Sequence, residues 1–567
     1  MQETSRRDFA TGIALPARAR RERHPAAFAL ALAIAAIVFV PVAVLAVIAV
    51  TGSGADWPHL ARNVLPGSAR TTVWLLLLVA AGTASIGVTT AWLVVAYDFP
   101  LRRLLAWALV LPLAVPTYLA AYAFGEFFHF TGPVQSGIRA LFGFQTVRDY
   151  WFPDVRTTGG AAVVLSSVLY PYVYLTARVV FIMQGRNIAD VARTLGAGPA
   201  KVFFRILLPV ARPAILAGVA LVLMETVNDI GAVEYLGVRT LTFSVYSTWL
   251  NRGSLEGAAQ IAMLMLVLVL GLVWAEQWAR RKQRFHGARA TQMKAKPPRV
   301  ALAGWRAALA TLSAMLPVLA GFGIPLYVFG GYASRRLDQI ASPALHAAFA
   351  SSVVTAGATA LLTVVAALAV MNAARLSRSA TMTVVARLAA GGYAVPGTIL
   401  GLGLLFALTR FDNSLDALAR ATFGLSTGLL LTGSAGAVVL ACSIRFLALA
   451  EGAIRSGLEK LPRNIDEAAR SLGRSPLSSA REILLPLLRP ALITAAVLVF
   501  VDTVKELSAT ILLRPFGFST LATHVYENAS RGVVEDGALA ALLIIVTALV
   551  PVVLLSGALM RDGDAAL

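Results

Sequence analysis

"DVARTLGAGPAKVFFRILLPVARPAI", residues Asp190–Ile215, is a polar stretch punctuated by Gly and Pro inside a chain that is 58% apolar. A second version, "EAARSLGRSPLSSAREILLPLLRPAL", occupies Glu467–Leu492, displaced by 277 residues without a gap. Extended to 188–215 and 465–492, the two copies agree at 13 of 28 positions. Ile188, Val191, Ala192 and Leu195 share one helical face. Asp190, and Glu467 in the second copy, fall in the first turn, where a carboxylate suits the helix dipole. Gly196 and Gly473 are placed to end that helix at positive φ. Pro199 and Pro476 suit the opening of a second helix. Pro209 and Pro486 are expected to bend the chain, with Arg212 and Arg489 marking its return to apolar surroundings. The pattern predicts a helix–turn–helix elbow, made twice.

The surroundings say where the elbows sit. Only 14% of the 567 residues are charged, against about 25% in soluble domains. Ten apolar windows are long enough to cross a bilayer, among them 104–125, 388–409 and 421–444. Two more, 213–233 and 490–513, are interrupted by acidic residues. The expected fold is an all-α polytopic membrane protein with about 12 transmembrane helices. Six spans per half return the chain to its starting side, so the halves form two parallel tandem six-helix repeats. Thr71–Thr72 matches Ser351–Ser352, and Ala-Val-Pro at 114–116 matches Ala-Val-Pro at 394–396. The expected division is a basic N-terminus at 1–27, a first half at 28–279 and a basic linker at 280–304. A second half at 305–560 and a tail at 561–567 complete it.

The net charge of +20 does not point to nucleic acid. Lys and Arg gather in residues 1–27, at Arg102 and Arg103, in both elbows and in the linker. These segments fall on one side of the alternation, which the positive-inside rule makes cytoplasmic. Both termini are then expected in the cytoplasm and the spans in lipid of a bacterial inner membrane. The "SRRDF" at Ser5–Phe9 reads as part of that orienting charge. Cys442 is the only cysteine, which excludes disulfides and iron–sulfur clusters. His59, His129, His346 and His524 lack ligand spacing. No phosphate-binding G-x-x-x-x-G-K-[ST] run occurs, so the chain is expected to bind no nucleotide or other cofactor and to be no enzyme.

The second copy, Glu467-Ala468-Ala469 with Gly473, Pro476, Ile483 and Leu485-Pro486 behind it, resembles the EAA loop of ABC-importer permeases. The first copy keeps Gly196, Pro199, Ile206, Leu208 and Pro209 at the same spacing. It has Asp190-Val191-Ala192 in place of Glu-Ala-Ala. The resemblance implies that 188–213 and 465–490 are the coupling loops of the two halves. It further implies two copies of a cytoplasmic ABC ATPase carrying ATP and magnesium, and a periplasmic substrate-binding protein. "NDIGAVEYLGVRTLTFSVYSTW" (Asn228–Trp249) and "KELSATILLRPFGFSTLATHVYE" (Lys505–Glu527) look like fused permeases for ferric iron. Permeases for thiamine, sulfate and polyamines share much of that pattern.

The interrupted spans carry the candidate path. Glu225 and Asp229 lie at i, i+4, as do Asp502 and Glu506, so each pair is expected on one helix face. Counted from Pro213, Glu225 falls near mid-membrane, where lipid exposure of one acid costs at least about 2.5–3.5 kcal/mol. The four carboxylates, with Asn228 and Lys505, are expected to line a central path. As hard oxygen ligands they would suit ferric ion in transit as transient metal ligands. The opposing expectation is structural: pairing with Lys505, or capping broken backbone. Asp149, Asp154, Glu527, Glu535 and Asp536 mark outer loops that could meet a binding protein. A different class, a stand-alone proton- or sodium-coupled transporter with the acids as relay, also fits these residues.

Overall fold

The computed structural model describes residues 25–194, 198–281, 299–377, 380–462 and 464–564. Ten described helices are long and apolar enough to cross a membrane, or twelve when each of two bent pairs counts as one span. Apart from a two-residue parallel pairing of Tyr97–Asp98 with Val300–Ala301, the described regular structure is helical. That pairing ties the end of the linker to the first turn of the first half, with Leu302 N–H donating to Asp98 O at 2.9 Å.

Proline shapes the spans in two ways. The windows 104–125 and 388–409 are not single helices, as expected, but bent pairs. Arg102–Ala114 meets Thr117–Phe127 at 99°, and Thr381–Ala394 meets Gly397–Phe423 at 107°. The breaks fall at the two Ala-Val-Pro sequences. Proline drives the residue before it out of the helical region, and Val115 (φ −96°, ψ 114°) and Val395 (φ −81°, ψ 121°) are extended.

Elsewhere the same residue is absorbed without a break. Four π-helical turns, Leu60–Val64, Phe203–Leu207, Leu319–Gly323 and Ala480–Leu484, each end two residues before a proline. Those prolines are Pro66, Pro209, Pro325 and Pro486. Proline cannot donate, and its ring crowds the carbonyl four residues earlier. Widening the preceding turn accommodates both defects. The bends expected at Pro209 and Pro486 are therefore π turns inside continuous spans, Phe203–Asn228 and Ala480–Val504. Pro213 and Pro490 lie within those helices.

The window 421–444 also shifts. Its first part is the connection after Phe423, and the helix is Ala435–Glu459. The run Leu429–Leu431 imitates a span by composition while lying largely exposed.

The halves interlock. The first helix, Pro25–Thr51, packs on Gly397–Phe423 of the second half, and Ile324–Arg335 packs on Thr117–Phe127 of the first. At the first crossing Gly403 faces the Pro41 backbone so closely that a Cβ has no room. The duplication also reappears as matched hydrogen bonds. Leu241 N–H donates to Thr72 Oγ1 at 2.9 Å, and Leu521 N–H to Ser352 Oγ at 2.7 Å.

Candidate functional site

Both outbound helices stop within their acidic pairs, after the first acid of each. One ends at Asn228 and the other at Val504. Asp229 is extended (φ −77°, ψ 116°). The expectation that each acidic pair shares one helix face is therefore wrong: Glu225 and Asp502 are helical, while Asp229 and Glu506 lie beyond the ends. Glu225 sits in the last turn of its helix. The break has a local cause. Asp229 Oδ1 accepts Ala232 N–H at 2.9 Å, and Glu506 Oε1 accepts Ala509 N–H at 2.9 Å. Each carboxylate reaches three residues forward to satisfy the orphan donors of the next helical turn.

The two broken outbound helices and the two Ala-Val-Pro breaks meet around a cavity of about 120 Å³. All six residues expected on the path, Glu225, Asn228, Asp229, Asp502, Lys505 and Glu506, line it. So do Tyr118, Tyr172, Tyr393 and Arg445, which sequence reasoning passed over. Arg445 stands one residue beyond the window 421–444 and so looked like a span boundary, but it is only 8% exposed within its helix.

The charges are sorted by half. Arg445 Nη1 donates to Glu506 Oε1 at 2.8 Å, and Glu506 Oε2 also accepts Thr510 N–H and Thr510 Oγ1 at 3.0 and 2.8 Å. Lys505 Nζ lies 2.7 Å from Asp502 Oδ1. Glu225 Oε1 accepts the Tyr393 hydroxyl at 2.8 Å. Asn228 Oδ1 accepts Gly397 N–H at 2.5 Å, and Ser508 Oγ donates to Asn228 O at 3.0 Å, fastening one half to the other.

Beyond the cavity, following the chain outward, Tyr526 donates to Glu234 Oε2 at 2.8 Å, and its hydroxyl lies 3.3 Å from that of Tyr246. The outer-loop acids hold their own surroundings. Asp149 accepts Gln145 and Thr146 N–H, both at 2.7 Å, which holds its carboxyl below its ordinary value. Asp154 accepts Arg156 N–H at 2.8 Å. Glu527 pairs with Arg514 and Asp536 with Arg336. Glu535 lies in the short 3₁₀ turn Val534–Gly537.

The second elbow is described in most of its backbone. Helix Asn464–Ser471 ends at Gly473 with φ +75°. Arg474 N–H returns to Ala469 O at 3.0 Å, the closure that a left-handed glycine allows. Ala468 is exposed and Ala469 buried. The next helix opens at Pro476, and Ile483 lies in the π turn ahead of Leu485-Pro486. The first elbow differs. Asp190 and Ala192 continue the backbone of the long helix Thr158–Thr194, so Asp190 is not in a first turn. Pro199 opens the helix Pro199–Val202, Ile206 lies in the π turn, and Leu208 and Pro209 begin the outbound helix. Gly196 lies outside the described residues, as do the side chains of Asp190, Ala192, Pro199, Glu467 and Pro476.

Residues 83–285 and 373–561 match the family described as binding-protein-dependent transport system inner membrane component. The chain is 24% identical over 486 residues to the Fe(3+)-transport system permease protein FbpB 2 of Haemophilus influenzae, covering 85% of this chain and 88% of that one. It is 29% identical over 203 residues to a probable sulfate transport system permease protein of Nephroselmis olivacea, covering 35% of this chain and 68% of that one. It is 26% identical over 211 residues to the molybdenum transport system permease protein ModB of Escherichia coli, covering 36% of this chain and 88% of that one.

Proposed function

The chain belongs to the binding-protein-dependent transport system inner membrane component family, and from that premise we propose that it is the fused permease of an ABC importer for ferric iron. It is a multi-pass inner-membrane protein with two family repeats, which sets aside the stand-alone secondary transporter. A separate ATPase, in two copies, supplies ATP and magnesium chemistry at the elbows. A periplasmic binding protein delivers cargo to the outer side, and both termini lie in the cytoplasm.

One observation carries this reading. From each elbow a single span, Phe203–Asn228 or Ala480–Val504, runs to the cavity wall. A displacement at the elbow would pass along a continuous helix to Asn228 or Val504. That is the lever an alternating-access cycle needs. At the tip of the second elbow Leu472 is 81% exposed, an apolar contact offered to a partner.

Iron is favoured by the long relative that covers both halves and by the cavity. Its volume of about 120 Å³ is below the roughly 300–1,000 Å³ of pockets that hold drug-sized ligands. A small ion fits it better than thiamine or a polyamine. The test is reconstitution of the chain with its ATPase and candidate binding proteins in proteoliposomes. Ferric ion, molybdate, sulfate, thiamine and polyamine are compared as stimulants of ATP hydrolysis and as cargo. Stimulation and uptake by ferric ion support the proposal. Uptake of another cargo with none of iron, or iron uptake by the chain without the ATPase, overturns it.

A further inference from the structure

Duplication copied the acids of the cavity into both halves but not the bases. Glu225 corresponds to Asp502, and Asp229 to Glu506, each at spacing 277. The same spacing puts Asn228 opposite Lys505 and Val168 opposite Arg445, and both members of each pair line the cavity. In the second half Asp502 is paired with Lys505 and Glu506 with Arg445. In the first half the equivalent positions are neutral.

The first-half wall also carries unused ligand capacity. Asp229 is 8% exposed; its Oδ1 caps Ala232, the Thr117 side chain and Gly231 N–H also face the carboxyl, and its Oδ2 makes no hydrogen bond of good geometry. Tyr118 is 4% exposed, stands at the second position of Thr117–Phe127, and its hydroxyl is also unpartnered. Tyr118 is acted on electrostatically by Glu506 first and then by Asp229, and Asp229 by Glu225. Buried polar atoms are nearly always satisfied, so two orphaned oxygens on one cavity wall call for a partner within the cavity, a water or an ion. The counterpart of Tyr118 at spacing 280 is Thr398, so this phenol has no equivalent in the second half, where the buried Thr398 hydroxyl is likewise unpartnered. Glu225 is shared, since Tyr393 holds one of its oxygens and the two cations act on it.

We infer that the cavity holds a hard trivalent cation on its first-half wall, through Asp229 Oδ2 and the Tyr118 phenol oxygen, with Glu225 completing the set. The inference rests on the ferric reading above and names the atoms that receive the ion. Hard cations take oxygen donors, and the phenol passes its proton to water when ferric ion binds. The remaining ligands are waters, for which the cavity has room. Lys505 and Arg445 withhold the second-half acids, so the ion is held on one side only, weakly enough to leave.

Terbium is the probe, a hard trivalent ion, with the full chain in phosphatidylcholine nanodiscs. Bound terbium is counted by equilibrium dialysis against empty discs. Asp229→Asn, which retains an oxygen for the Ala232 cap, and Tyr118→Phe are each expected to weaken binding about tenfold or more. Lys505→Met, which frees Asp502, is expected to tighten it severalfold. Wild-type affinity in both Asp229→Asn and Tyr118→Phe, with unchanged size-exclusion profiles, overturns the site. Iron uptake by the reconstituted transporter separates the two readings. Site-dependent terbium binding without iron uptake sinks the ferric reading alone. Iron uptake that Asp229→Asn and Tyr118→Phe leave intact sinks the site alone.

Discussion

Tyr246 and Tyr526, 280 residues apart, meet through their hydroxyls at 3.3 Å. They are equivalent positions of the two repeats, since Leu241 and Leu521 make matched bonds five residues before each. Equivalent residues can touch only where the pseudo-two-fold axis passes between them. The pair therefore marks the axis, and with Glu234 it bridges the halves beyond the cavity.

Removing that bridge should loosen the halves measurably. Tyr526→Phe takes a donor from Glu234 and is expected to cost about 1 kcal/mol. A double-mutant cycle with Tyr246→Phe should show coupling of about 0.5 kcal/mol or more, because contacting residues are not additive. Thermal unfolding in detergent reads both. Strict additivity would mean that the hydroxyls do not interact.

The buried pair Arg445–Glu506 should respond asymmetrically. Arg445→Met leaves a carboxylate that is 5% exposed without its cation, at a cost of about 3–5 kcal/mol. Arg445→Met combined with Glu506→Gln should recover much of that loss, because neither charge is then buried alone. Yield of folded protein and melting temperature measure the difference. If the double variant is no better than the single one, pairing is not the reason for the cost.

The matched bonds predict matched penalties. Thr72→Val and Ser352→Ala each leave a buried backbone N–H, of Leu241 or Leu521, without its acceptor. Each is expected to lose about 1–3 kcal/mol. Comparable drops in melting temperature would show that the two halves contribute alike; a drop in only one would deny their equivalence.

Gly473 holds φ +75°, a conformation that costs other L-residues about 1 kcal/mol or more. Gly473→Asp is expected to abolish co-purification with the ATPase while leaving the spans folded. Retained association in the Asp variant would remove the second elbow from the docking surface.

Asp149 gives a pH signature in the loop before Thr158–Thr194. Hydrogen bonds from Thr146 and Gln145 lower its folded value, so its contribution is present above the ordinary carboxylate range. It is lost as pH falls through the folded value. Proteolysis between residues 143 and 157 should rise at acid pH in the native chain. In Asp149→Asn cleavage should be raised at neutral pH already and change little with pH.

How much of this was legible follows the range of each interaction. The elbow at Gly473 and Pro476 was readable because capping is local chemistry, settled within a few residues. Ala-Val-Pro was visible as a repeat at 114–116 and 394–396. That it breaks the spans at 99° and 107° was not, because Pro209 and Pro486, equally conspicuous, are absorbed in π turns. The six path residues were found from rare polarity inside apolar spans, whereas Tyr118, Tyr172 and Tyr393 were not, since an aromatic residue in a span looks like core.

Composition and internal repetition alone determined that this chain crosses the membrane in two similar halves, with a polar elbow in each, because apolar length and local turn chemistry are written residue by residue. The tertiary structure alone decided that Arg445 neutralises Glu506 across 61 residues and that Tyr393 serves Glu225 across 168. The physical reason is that a charge chooses its partner by distance in space. Two segments with matching acids acquire different electrostatics once folding sets Arg445 on Glu506 and gives Asp229 only a backbone N–H at Oδ1.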